Sequence, residues 1–276
     1  KYLHRYDEGW FGNLDCRIMK LDVKEAILFA ISRYDYAYAY KLAQKLMGSS
    51  SIVTSLLAIL AERRELNILP AMDEELKTAL QTQSGFQPFC HTDLADEQLA
   101  NYLYDLEAKL RNEQIIDFVR AVSPAIYRIF MRLIKLEIPD IEHFIHNSRE
   151  ASYDRWEFER MRESDYTVLQ LFHAESTVNS SSLTELILHL DLPDSVKEEV
   201  KQLRELEKSV RNPLAHLIKP FDETELYRTT GFSSQYFMEI LVDLARFTGI
   251  VYDREHFYFD EANRLVRALL TGEENG

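Results

Sequence analysis

The chain has 276 residues, 46% of them hydrophobic, and carries 46 acidic against 32 basic residues for a net charge of −14. That length supports two modest domains, each with its own core, and the acidic balance argues against non-specific coating of nucleic acid, which requires positive surface. With only 8 glycines and 7 prolines, long segments run without a breaker, as expected of an all-α protein with short connections.

Asp22 is placed to cap a helix along which Val23, Ile27, Phe29, Ala30 and Ile31 recur at near-helical spacing, and Asp35 to cap the next, giving a helical hairpin. The run "YDYAYAY" alternates with period two, yet "KLAQKLMG" continues it in helical phase and Gly48 stands where a terminating glycine belongs, so the segment reads as helix. Ser51–Leu66 reads as a third helix and Met72–Leu80 as a short fourth. The segment "QTQSGFQPFCHTD" is the most loop-like part of the chain. Ala95–Leu110 and Asn112–Leu136 follow as longer helices, the second interrupted or kinked near Pro124. Pro139 opens a further helix through His146, Tyr153–His173 reads as a charged helix and Ser182–Leu190 as a short one. Asp194–Val210 carries Val196, Val200, Leu203, Leu206 and Val210 at steps of three and four, a clean amphipathic stripe. Ser233–Phe247, a small hairpin over Val251–Phe259 across "DREH", and a last helix Asp260–Leu270 complete the reading. No glycine-rich phosphate loop and no alternating βαβ pattern occurs.

The amphipathic helix leads into "EKSVRNPLAHLIKP", Glu207–Pro220. Asn is among the best helix caps and proline suits a first helical position, so Asn212-Pro213 reads as a helix start with Arg211 just outside it and His216 one turn in. At such a start, free N–H groups and the dipole favour an anion such as phosphate. The charged residues from Arg204 to Lys219 are four basic against two acidic, a local exception in an acidic chain. A near-neutral histidine beside an always-charged arginine suits cleavage of RNA by its own 2′-hydroxyl: the histidine moves the proton, the guanidinium holds the phosphate, and no metal is needed. The spacing alone also fits an ordinary capped helix start, since an arginine five residues before a histidine arises readily by chance.

"VRNPLAH" resembles the R-x4-6-H motif of HEPN ribonucleases, whose commoner form has a polar residue directly after the arginine, as Asn212 is here. The ending "FYFDEANRLVRALL" is similar to the last helix of such domains, and "ISRYDYAYAYKLA" to the helical linker of Csm-type ribonuclease effectors of type III CRISPR systems. The resemblance implies a helical linker over residues 1–110 and a HEPN domain over 111–276 that cleaves single-stranded RNA without a cofactor. It implies catalytic roles for Arg211, His216 and Asn212, and a homodimer that pairs two motifs. In that family a CARF sensor domain, which binds cyclic oligoadenylate, precedes the helical part. None is visible in this chain, which begins with Lys1 rather than methionine, as a fragment would.

Other candidates carry bland readings beside the functional ones. His143 and His146 are spaced as a metal pair on one helix face but have no further ligand at a recognisable spacing, and Cys90, His91 and Asp93 would need a tertiary coincidence to join them, so no metal is expected. Tyr34, Tyr36, Tyr38 and Tyr40 could stack on RNA bases, though alternation with alanine favours core packing. Arg155, Arg160 and Arg162 stand among acidic neighbours, as on a solvated face. Cys16 and Cys90, the only cysteines, suggest neither disulfide scaffold nor cysteine zinc site and fit a reducing, cytoplasmic setting. No run approaches the roughly twenty apolar residues of a membrane span. The reading weighed against a ribonuclease is a non-catalytic helical module that binds a protein partner or a nucleotide.

Overall fold

A computed structural model describes residues 8–69, 74–146, 154–216 and 220–272, with side chains from residue 20 onward outside 211–216. The protein is all-α apart from one two-stranded pairing among the described residues. It divides into two compact units, residues 1–105 with 253–276, and residues 106–252, the division falling within one helix.

The first unit contains α1 (Glu8–Ser32), α2 (Tyr36–Met47), α3 (Ile52–Arg64), α4 (Glu74–Ser84) and the first part of α5 (Leu94–Arg111), and the chain returns to it at its end. The Asp35 carboxylate accepts the Tyr38 N–H at 3.1 Å, and Gly48 ends α2 at φ 78°, both as the sequence indicates. Between α1 and α2, Tyr34 holds φ 56°, a left-handed conformation that costs a non-glycine residue free energy. Its ring offsets that cost by packing edge-on against Phe257 at 5.8 Å, and its hydroxyl donates to Asp260 at 2.8 Å. Tyr36 is likewise buried and donates to Asn263, whereas Tyr38 stands exposed, so this tyrosine run is mainly core. The loop before α5 is pinned by Glu97, fully buried, which accepts from Arg63 at 2.6 Å, from the Cys90 and His91 N–H groups at 3.1 and 2.9 Å, and contacts His91 Nδ1 at 3.0 Å. Cys90, His91 and Asp93 thus have structural work, Asp93 capping the start of α5 through Ala95 and Asp96. Among the described residues no group of three or more His, Cys, Asp or Glu is arranged to hold a metal ion.

The second unit is built on α6 (Ile115–Glu137), a single helix with Pro124 inside it, whose apolar face from Phe118 to Ile134 is buried. A 3-10 turn (Ile141–Phe144) leads into β1 (Ile145–His146), which pairs antiparallel with β2 (Arg155–Trp156) in the register Ile145 to Trp156. Then come α7 (Phe158–Arg162), α8 (Thr167–Gln170), α9 (Ser180–His189), α10 (Asp194–His216), α11 (Glu223–Thr230) and α12 (Ser234–Phe247). The final helix of the chain, α13 (Tyr258–Thr271), belongs to the first unit, where it packs on α1 and α3.

Five expectations are corrected. Asp22 caps nothing; α1 runs straight through it, because an exposed aspartate inside a helix costs well under about 1 kcal/mol and the apolar run beyond it continues the helix. Pro139 opens only a 3-10 turn, so His143 and His146 lie on a turn and a strand, not on one helix face. The segment 153–173 is no continuous helix: Trp156 and Phe172 bury their rings against each other at 5.5 Å, a contact that requires the chain to fold back between them. The hairpin expected over Val251–Phe259 is absent, and the strand pair found among the described residues lies at 145–156 instead. In the expected hairpin's place the Asp253 carboxylate accepts the Glu255 and His256 N–H groups, a local turn that delivers Phe257, Tyr258 and Phe259 into the first unit's core. The fifth concerns Pro213.

Candidate active site

Helix α10 carries the motif. Its stripe is buried as spaced, with Val196, Val200, Leu203, Leu206 and Val210 each at most 5% exposed, packed toward α6, α9 and α12. Each such side chain contributes about 1.5–3 kcal/mol on burial. That drive carries the helix on through Asn212 and Pro213 to His216, so Asn212-Pro213 is not a helix start. Proline has no N–H for the Ser209 carbonyl, but the break falls three residues from the helix end, where only one bond is lost.

One continuous helix sets the geometry of the motif. On one helix, positions 211 and 216 are about 7.5 Å apart along the axis and about 140° apart around it, so no single side of α10 carries both. In register, Asn212 and His216 continue the stripe of Lys201, Glu205 and Lys208, all exposed. Arg211 continues the row of Arg204 and Glu207.

Glu207 was not singled out by the sequence, although its signal was there: an acid in phase with the apolar stripe, four residues after Leu203. Only 3% exposed, it accepts the Ser180 hydroxyl at 2.5 Å and Arg204 Nη1 at 3.3 Å. Ser180 begins α9, whose capping box joins Asn179 and Ser182. Nearer the start of α10, Tyr236 on α12 donates to Gln202 at 2.7 Å and stacks on Phe232 at 5.0 Å. Burial, and then the charge of Asp243, push the Glu199 carboxyl above its usual range. Beyond the motif, Phe221 and Leu226 are buried, and α11 packs back on α10. Asp222 caps α11 through the Glu225 N–H, and the Glu223 carboxylate accepts the Ser234 N–H at 2.8 Å, tying α11 to the start of α12.

The remaining candidates lie elsewhere. His146 Nδ1 is 3.2 Å from the Glu157 carboxylate and Arg160 donates to the His143 carbonyl, while Arg155, Arg160 and Arg162 are exposed. No helix among the described residues is long and apolar enough to cross a membrane.

The second unit is thus a helical domain whose long amphipathic helix α10 runs on through positions 211 to 216, and its fold has a solved likeness. The solved structure of Enterococcus italicus Csm6 bound to cyclic hexa-2′-fluoro-hexa-dAMP matches with a TM-score of 0.65 at 14% identity, over 92% of this chain and 58% of that one. The family model described as the Cas_Csm6 HEPN domain matches residues 88–267, more than half of the chain and all of the motif, and the chain belongs to that family of type III CRISPR effectors. No curated protein matches it. The chain spans 58% of the length of the Csm6 chain it resembles.

Proposed function

We propose that this protein is an endoribonuclease of CRISPR-associated defence, cutting single-stranded RNA without a metal at a site formed by Arg211, Asn212 and His216 of two copies. The observation that carries the reading is the match of the HEPN family model across residues 88–267, with the arginine and histidine of its motif type on α10. In the reaction, a histidine takes the proton of the 2′-hydroxyl, the 2′-oxygen attacks phosphorus, and the 5′-oxygen leaves as it gains a proton. Arg211 neutralises the charge that builds on the phosphate, and Asn212 holds a phosphate oxygen or the histidine. The products are a 2′,3′-cyclic phosphate and a 5′-hydroxyl.

The helical register supports pairing. Because positions 211 and 216 diverge by about 140° around α10, one chain offers a phosphate poor enclosure. Two motif helices related by a two-fold axis supply an arginine and a histidine from opposite sides and double the local positive charge in an acidic chain. The Csm6 of Enterococcus italicus was solved with a cyclic hexa-adenylate analogue. Control of this protein by a cyclic oligoadenylate is proposed to act through a sensor domain, not through the helical residues described, and its setting is proposed to be the cytoplasm.

The test is cleavage of a fluorescent single-stranded RNA in excess EDTA by the wild type, Arg211→Ala and His216→Ala, with analysis of the product ends. Cutting by the wild type alone, leaving cyclic phosphates, is expected, with a loss of about 10²- to 10⁴-fold in the histidine variant. Full activity in His216→Ala, or loss on chelation restored by Mn²⁺ or Mg²⁺, would overturn the reading.

A further inference from the structure

We propose that the first unit binds one buried water molecule as a fixed part of its core, bridging Arg63 Nε of α3 to Asn101 Oδ1 of α5. Arg63 is 0% exposed and Asn101 1%, and among the described residues neither of these two atoms meets a hydrogen-bond partner. One is a donor on a charged group and the other an acceptor, so they lack complementary things. An orphaned buried polar atom is costly, and native cores seldom keep one.

The bonds around them bring the two atoms to the same place. Asn101 donates through Nδ2 to the Arg63 carbonyl at 2.9 Å, which identifies the oxygen end of its amide and holds Oδ1 beside the root of the Arg63 side chain. That side chain ends on Glu97, one turn before Asn101 on α5, through Nη2 at 2.6 Å. Nε shares with Nη2 one edge of the planar guanidinium, so its N–H is turned toward the stretch of α5 between Glu97 and Asn101. The other acceptors nearby are engaged. The Pro88 carbonyl takes Arg63 Nη1 at 2.7 Å and the Tyr258 hydroxyl at 3.1 Å, and Glu97 Oε2 takes the Cys90 and His91 N–H groups. The Tyr258 ring covers one face of the guanidinium, 4.5 Å from its carbon. A single water supplies both missing partners: its oxygen accepts the Nε–H and one of its hydrogens is donated to Oδ1. It completes the polar network by which α3, α5 and the loop carrying Pro88, Cys90 and His91 hold a charged arginine inside the first unit.

The test is a high-resolution crystal structure of the full chain, with NMR beside it in solution. One isolated density peak within about 2.7–3.2 Å of both Nε and Oδ1 is expected. The Arg63 Nε–Hε signal, assigned through the side-chain carbons, is expected to show a cross-peak to water. Asn101→Leu keeps the bulk of the side chain and removes its amide, and both the peak and the cross-peak should then be lost. Density in which Nε bonds directly to Oδ1 or to another protein acceptor, or none between the two atoms, overturns the proposal. So does a water that stays on Nε in Asn101→Leu. If that variant does not fold, the wild-type density and cross-peak decide alone.

Discussion

Replacing Pro213 with alanine tests whether the motif stands on one helix or at the start of a second, because the two arrangements predict opposite signs. In α10, which runs from Asp194 to His216, Pro213 is an interior residue that gives the Ser209 carbonyl no N–H. An interior proline costs about 3 kcal/mol relative to alanine, and its restriction of the unfolded chain offsets about 0.4–1 kcal/mol of that. The position lies three residues from the helix end, where fraying is cheap, so the net gain for Pro213→Ala is about 1–2 kcal/mol. For a domain of this size, that is a rise in Tm of about 2–8 °C. Calorimetry gives the global figure, and amide exchange over residues 209–216 shows whether the gain lies in this helix. At a helix start, proline is favoured, and alanine would lower stability through the unfolded state. A Pro213→Ala protein of equal or lower stability, with no added protection at 209–216, would refute the single helix and the 140° divergence drawn from it.

Two further perturbations probe the first unit. Glu97→Ala strands the fully buried Arg63 and leaves the Cys90 and His91 N–H groups without their acceptor; urea unfolding should show a loss of about 3–5 kcal/mol, and a loss below about 1 kcal/mol would mean the buried pair is solvated in practice. The exposed His256 is hydrogen-bonded to Asp253, which raises its pKa above the ordinary histidine value and lowers that of Asp253. The stability this raised histidine confers is complete below its unfolded pKa and fades as pH rises through the folded one. An NMR titration should place His256 above a free histidine and return it toward that value in Asp253→Asn, and a titration indifferent to the substitution would contradict the pairing.

What the sequence made legible is what hydrophobic period and capping chemistry can write. The stripe of α10, the Asp35 cap and the Gly48 stop all stand where expected, since each follows from a few neighbouring residues. The eight-residue α11 has too few turns to show a period, and strands of two residues have none at all. Pro213 and Asp22 misled for one reason: local preference was overridden by a helix already held by packing or propagation on either side. The buried ions were hidden differently. Arg63, Glu97 and Glu207 look like surface charge in a sequence, and only the tertiary fold brings Pro88 and Tyr258 to Arg63, or Ser180 to Glu207. In the candidate site, Arg211, Asn212 and His216 could be named by resemblance, whereas the bond between Ser180 of α9 and the buried Glu207 of α10 could not.

The central claim, that two motifs form one RNA-cutting site, is tested most directly by mixing. Wild-type chains are combined with a ninefold excess of chains carrying both Arg211→Ala and His216→Ala, and left to exchange partners before RNA is added. Random pairing leaves about one wild-type chain in ten with an active partner, so the cleavage rate per wild-type chain should fall about tenfold. A rate that tracks the number of wild-type chains alone, or a protein that cuts RNA at full rate as a monomer, would contradict the account.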